Sequence, residues 1–200
     1  SRRVVLGTAG GLIGAGAAQA GLSPQQQLIG MVALVAAGVV LLLARFDAGA
    51  LLLTGVAGAL ADGVRVGDIV IANALLQHDL DVSPIFPRWQ VPSHGRARFD
   101  TDAAMAAQMA AAAERVLAER PASGARVHRG LIVSGDRFVS SRAASDTLRA
   151  ALPDALAVEM EGAAMAQVCA DYGRPLAVMR TISDRADDDA HADFTRFLDD

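Results

Sequence analysis

The stretch AVEMEGAAMAQVCADYGRPLAVMRTISDRAD, from Ala157 to Asp187, decides the fold class of this 200-residue chain. A short apolar run ends in two carboxylates, Glu159 and Glu161, separated by Met160. A helix of small residues follows from Gly162 to Ala170, with Met165 and Val168 on its apolar side. A Gly-Arg-Pro turn then leads into a second apolar run, Leu176 to Ile182, which stops at Ser183-Asp184. This is strand, helix, strand, with acids at the carboxyl end of each strand, the edge where open parallel sheets bind ligands. While the chain stays extended, Glu159 and Glu161 share a face. Buried carboxylates beside an apolar strand are costly unless paired, protonated or bonded to a ligand. A second reading of the same pair is as caps for the helix that follows, since acids favour helix N-termini.

Working outward, the composition bounds the rest. Half-apolar at 52%, the chain can bury a core as one domain over residues 1–200. A net charge of −4 gives no electrostatic reason to expect a nucleic-acid partner. The single cysteine, Cys169, excludes an intrachain disulfide framework and fits a reducing, cytoplasmic compartment. Upstream of the central stretch, Ala50 to Leu53 reads as a strand stopping at Thr54-Gly55-Val56-Ala57-Gly58, and Gly67 to Ala72 as another. Gln77-His78-Asp79-Leu80-Asp81 lacks the partner ligands a metal site needs, so no metal or organic cofactor is expected. Pro84 to Gly95, with Phe86 and Trp89, is a loop suited to covering a pocket or meeting a second subunit. Thr101 to Glu119 is a helix capped by Thr101 or Asp100, with Met105, Met109, Val116 and Leu117 as its apolar stripe. Arg126 to Val133 forms a strand ending at Ser134-Gly135-Asp136, and Ser145 to Leu152 a short helix.

Residues 1–44 carry only Arg2 and Arg3 as charges, and Leu28 to Ala44 is an unbroken apolar run of 17. Three readings compete. A membrane span needs about 20 apolar residues, and this run is diluted by Gly30, Gly38 and alanines. Ser1-Arg2-Arg3, the apolar Val4 to Ala18 and Ala18-Gln19-Ala20 fit a twin-arginine-like export signal. Ordinary core is the reading adopted, with no membrane partner. The glycines from Gly7 to Gly16 do not keep the spacing that cradles a dinucleotide pyrophosphate.

Four segments, in order, resemble the nucleoside phosphorylase/nucleosidase superfamily, most closely its 5′-methylthioadenosine/S-adenosylhomocysteine nucleosidases. They are TGVAGALADGVRVGDIV (Thr54–Val70), GLIVSGDRFV (Gly130–Val139), VEMEGAAMAQVC (Val158–Cys169) and RTISDRAD (Arg180–Asp187). The resemblance implies a three-layer α/β/α domain around a central mixed, twisted sheet, and a homodimer that hydrolyses the N-glycosidic bond of a 5′-thio-substituted adenosine. It implies Asp184 as the acid that protonates the departing purine and Glu161 as the carboxylate that holds the ribose hydroxyls. It places ribose and base against Val56, Ala57 and Gly58, the purine along Phe138 and Val139, and Met160 and Phe194 as apolar walls. It also implies that Glu159 lines the same crevice and that Ser183 orients Asp184.

Two departures stand beside the match. Met31, in Ile29-Gly30-Met31-Val32, takes the place of the family's lysine. The family's opening strand ends in a glutamate that activates water, and no Asp or Glu precedes Asp47. That strand and the family's C-terminal helix are therefore expected to be missing. Three other activities remain in view: phosphorolysis, a nucleoside-binding pseudoenzyme, and a membrane-anchored interaction protein argued from residues 28–44. Futalosine-type nucleosides are a further substrate option.

Overall fold

A computed structural model of the chain describes residues 4–8 and 24–199. The candidate export features Arg2-Arg3 and Ala18-Gln19-Ala20, and most of the glycine-rich Gly7 to Gly16, lie outside them. The elements in order are β1 (Val4–Thr8), α1 (Pro24–Phe46), β2 (Ala50–Ala59), β3 (Ile69–Gln77), β4 (Arg98–Asp100), α2 (Ala103–Ala118), β5 (Val127–Ser134), α3 (Arg142–Ala151), β6 (Ala155–Glu159), α4 (Gly162–Asp171), β7 (Leu176–Asp184) and α5 (Ala190–Asp199). This is a mixed α/β fold with one seven-stranded mixed sheet. Strand β2 runs parallel to β7 and β1 and meets β6 antiparallel, while β3 pairs with β4, β5 and β7. With β5 on β6, the pairings β2–β6–β5–β3–β7–β2 close on themselves. The strands inside that circuit are shielded on both faces, which explains their near-continuous apolar runs.

Both ends of the described chain carry regular structure. Strand β1 pairs in parallel with β2, Val4 opposite Ala50 through Thr8 opposite Thr54. The β-branched Val-Val-Leu-Gly-Thr segment favours this conformation, but its glycine neighbours disguise it. A helix, α5, also forms at the C-terminal side. The Leu28–Ala44 run belongs to α1, which packs on α4 and buries Val35, Val39 and Leu43. Among the described residues no helix is long and apolar enough to cross a membrane.

The expected stripe of α2 is replaced. Ala106, Ala110 and Ala113 are its buried residues, and Val116 is exposed. Alanines at i, i+4 and i+7 let the helix lie close to β3 and β7, displacing the larger methionines to the flanks. Its cap is Asp102, whose carboxylate accepts the Met105 N–H at 2.8 Å. Strand β2 does not stop at Thr54 but continues through the glycines to Ala59. Cys169 is buried in α4, and burial pushes its thiol up to about 11, which leaves it inert as a nucleophile.

Candidate active site

The crevice is built on two glycines of β2. A β-carbon at Gly55 would overlap Nη1 of Arg180, and one at Gly58 would lie 2.7 Å from Oδ1 of Asp184. In the β2–β7 register these residues are paired, Gly55 with Arg180 and Gly58 with Asp184. Each glycine therefore gives up its side-chain volume to a charged neighbour on β7. An irregularity between Ala57 and Gly58 leaves Ser183 as the extra residue of β7, and such bulges re-aim the side chains that follow. Gly58 also pairs with Val158. Strands β6 and β7 both pair with β2, and Gly58 is the point where they converge.

The two glutamates have different surroundings. Glu159, 6% exposed, accepts the Gly162 N–H on both oxygens at 3.0 Å and the Glu161 N–H at 3.2 Å. It also accepts the Ser134 hydroxyl and the Arg180 guanidinium. Ser134 Oγ takes the Ala163 N–H at 2.8 Å. Together these take up the amides of Glu161, Gly162 and Ala163 at the start of α4. The capping role therefore falls to Glu159, whose carboxylate is saturated by protein donors. Glu161 makes no cap bond. It is half-buried and holds Arg180 Nη2 at 3.1 Å through Oε2. Its other oxygen accepts no hydrogen bond among the described residues. Burial, and then the Glu159 charge, push its carboxyl above the usual range despite Arg180.

Arg180 is the residue that sequence reasoning passed over. It is 2% exposed and ion-paired to both glutamates. The signal was available, because an arginine inside the apolar run LAVMRTIS is almost never buried unless paired. Arg180 stands beside the glycine turn of β2, with its charge taken up by Glu159 and Glu161.

Asp184 is 1% exposed. Oδ1 accepts the Ala186 N–H at 2.8 Å, and Oδ2 accepts the Ser183 hydroxyl at 2.9 Å. Burial pushes its carboxyl up, and the nearby Asp193 and Asp187 add to this, while the two hydrogen bonds pull the other way. Ala186 is fully buried at φ 50°. That left-handed conformation costs an alanine about 1 kcal/mol, and it aims the amide at Asp184.

A cavity of about 20 Å³ is lined by Gly58, Arg137, Phe138, Val139, Val158, Glu159, Met160 and Asp184. It is smaller than the ~300–1,000 Å³ of common ligand pockets. At its mouth the half-exposed ring of Phe138 meets Phe194 edge-on, with centroids 6.3 Å apart. Of the remaining sequence candidates, Val56 is half-buried and Ala57 buried on β2, and Ser183 is buried beside Asp184. Away from the crevice, Asp81 caps its own loop through Ser83.

A family model described as the phosphorylase superfamily matches residues 2–200. The chain belongs to that superfamily. Within it, the chain falls with the nucleosidases. It is 39% identical over 174 residues to the 5′-methylthioadenosine/S-adenosylhomocysteine nucleosidase of Actinobacillus succinogenes, covering 86% of this chain and 72% of that protein. The crystal structure of the corresponding nucleosidase from Neisseria meningitidis, in complex with methylthio-immucillin-A, matches with TM-score 0.73 at 39% identity, over 84% of this chain and 70% of that one. Futalosine hydrolase of Helicobacter pylori matches with TM-score 0.73 at 33% identity, over 84% and 68%.

Proposed function

We infer that this nucleosidase-family chain hydrolyses the N-glycosidic bond of 5′-methylthioadenosine- or S-adenosylhomocysteine-type nucleosides and releases adenine. The observation that carries the reading is Asp184, a buried carboxyl held above its ordinary range at the edge of a crevice with an aromatic mouth. The similarity to enzymes named for those two nucleosides supports it.

In this scheme Asp184 gives its proton to nitrogen 7 of the purine as the C1′–N9 bond breaks, and the bonding pair leaves with the base. A carboxyl pushed above its ordinary range holds a proton more readily than a free aspartate, which suits this task. Ser183 and the Ala186 amide fix its orientation. Glu161 accepts the ribose hydroxyls with its uncommitted oxygen, and its charge stabilises the positive sugar. Water adds at C1′ and releases a proton. Phe138 stacks on the base, the Val139 backbone reads its edge, and Val56, Ala57 and Gly58 pack against ribose and base. Met160 and Phe194 wall the 5′ substituent. Glu159 acts from behind, through Arg180 and the start of α4.

Hydrolysis is favoured over phosphorolysis because the arginine at the glycine turn is already neutralised by two carboxylates. Adenine release from methylthioadenosine, measured with and without phosphate, tests this. Equal release in both is expected, and release only with phosphate would make the chain a phosphorylase. Binding without release would make it a nucleoside-binding pseudoenzyme. We also propose a homodimer in the cytoplasm. Ile85 at 81% exposure, with Phe86 beside it on the 84–95 loop, supports a subunit contact, and the free thiol of Cys169 fits a reducing compartment. Sedimentation at monomer mass, or fractionation outside the cytoplasm, would overturn the respective claim.

A further inference from the structure

The carboxyl ends of β3 and β5 form a junction that the reaction scheme leaves unused. The His78 N–H donates to the Ser134 carbonyl at 2.9 Å, and the Gly135 N–H to the Glu159 carbonyl at 3.1 Å. The Asp136 N–H donates to Asp79 Oδ2 at 2.7 Å. The imidazole of His78 lies so close over Gly135 that a β-carbon there would overlap Nε2 and stand 2.6 Å from Cε1. The chain's one tryptophan holds the other side. Trp89 Nε1 donates to the His78 carbonyl at 2.9 Å, and its ring packs on the apolar cluster that contains Val139. Three successive residues, 134 to 136, are thus each fixed from outside their own strand, by the turn after β3 and by the end of β6. The residues that follow, Arg137, Phe138 and Val139, line the cavity.

We propose that Asp79 is a positioning residue for base recognition, its carboxylate holding the Asp136 amide and thereby setting the path of Arg137 to Val139 against the purine. This rests on the nucleosidase reading of the crevice. Asp79 touches neither the base nor the reacting atoms. Phe138 and Arg137 are exposed, so without an anchor the segment has to be ordered each time a base binds, which weakens binding. A carboxylate accepting a backbone amide makes a stronger tie than a neutral acceptor. Because the base is stacked in both ground and transition states, loss of the anchor acts mainly on KM.

The test compares Asp79→Ala and Asp79→Asn with the wild type, using methylthioadenosine. In Asp79→Ala, KM rises roughly tenfold while kcat stays within about threefold, the size expected for one lost charge-assisted bond. Asp79→Asn, which keeps an oxygen for the amide, stays within about threefold of wild-type KM. An unchanged KM in Asp79→Ala, or a loss in kcat alone, would overturn the proposal. Amide hydrogen exchange provides a second arm that needs no turnover. Faster exchange confined to residues 136–139 in Asp79→Ala supports the proposal, and equal protection overturns it. Should the wild type release no adenine, the nucleosidase reading fails, and the exchange arm still decides the role of Asp79. If Asp79→Ala does not fold, Gly135→Ala supplies the same question: it raises KM, and adding His78→Ala restores it, whereas no recovery contradicts the junction.

Discussion

Asp68 precedes β3 and Asp184 closes β7, two antiparallel neighbours, and the two acids are almost equally buried, at 3% and 1% exposure. Burial pushes both carboxyls up, yet they end on opposite sides of their ordinary value. At the start of β3, Asp68 accepts the Arg65 N–H at 3.0 Å, the Arg126 N–H at 2.8 Å and His128 Nε2 at 2.8 Å. Those donors outweigh burial and hold it below the usual range. At the end of β7, Asp184 has one amide and one hydroxyl, faces the negative charge of Asp187 and Asp193, and stays high. Burial alone does not tell a structural acid from a chemical one. The supply of donors does.

The strongest way to break that contrast is Asp184→Asn. Adenine release is expected to fall by about 10²–10⁴-fold, the span of a lost general acid. The fold should survive, because a neutral amide replaces a group that is itself disfavoured when ionised. The sign follows from linkage. A carboxyl raised in the folded state binds more protons there, so its stability contribution declines as pH rises from 3.8 through the folded value. Above that window Asp184→Asn should melt at or above the wild-type temperature, and calorimetry at neutral pH checks this. Wild-type turnover in this variant would place the acid elsewhere.

Arg180→Met removes the shared partner of Glu159 and Glu161 and leaves two buried like charges. A loss of about 3–5 kcal/mol is expected in denaturant unfolding, as for other broken buried pairs. A change under 1 kcal/mol would mean that the glutamates find another partner or take up protons.

At the structural end, Asp68→Ala strands two amides and His128, with an expected cost of about 2 kcal/mol. Here the pH sign is reversed. A depressed carboxyl contributes stability above 3.8 that is lost as pH falls through its folded value. The gap between wild type and Asp68→Ala should therefore narrow on acidification, as followed by unfolding midpoints across pH 2–6. A gap that widens in acid would contradict the pairing.

Gly58→Ala is the smallest and most local perturbation. Its β-carbon would meet Asp184 Oδ1 at 2.7 Å and Ala186 Cβ at 3.0 Å. An overpacked site of this kind costs about 1–3 kcal/mol. Activity should fall more than stability, since the displaced group is the acid itself.

Much of this was legible in sequence. The β6–α4–β7 unit and both acids at its strand ends follow from apolar runs interrupted by carboxylates, and four ordered motifs identified the family. What escaped notice was decided by pairing at a distance. Nothing local says that β2 runs on through Gly55 and Gly58, because the reason lies far along the chain, in the side chains of Arg180 and Asp184. Helix α2 was read by its large apolar residues, but the sheet selected its alanines. Strand β1 was hidden because its short apolar segment reads equally well as core, export signal or strand. Glu159 and Glu161 look equivalent in VEMEG. Only the turn into α4 makes one a saturated cap and leaves the other with an oxygen that accepts no hydrogen bond among the described residues.

The most direct test is a carbon-13 NMR titration of the Asp68 and Asp184 carboxyls in the same protein. The account predicts a midpoint above 3.8 for Asp184 and below 3.8 for Asp68. Midpoints in the reverse order, or both at the ordinary value, would contradict it.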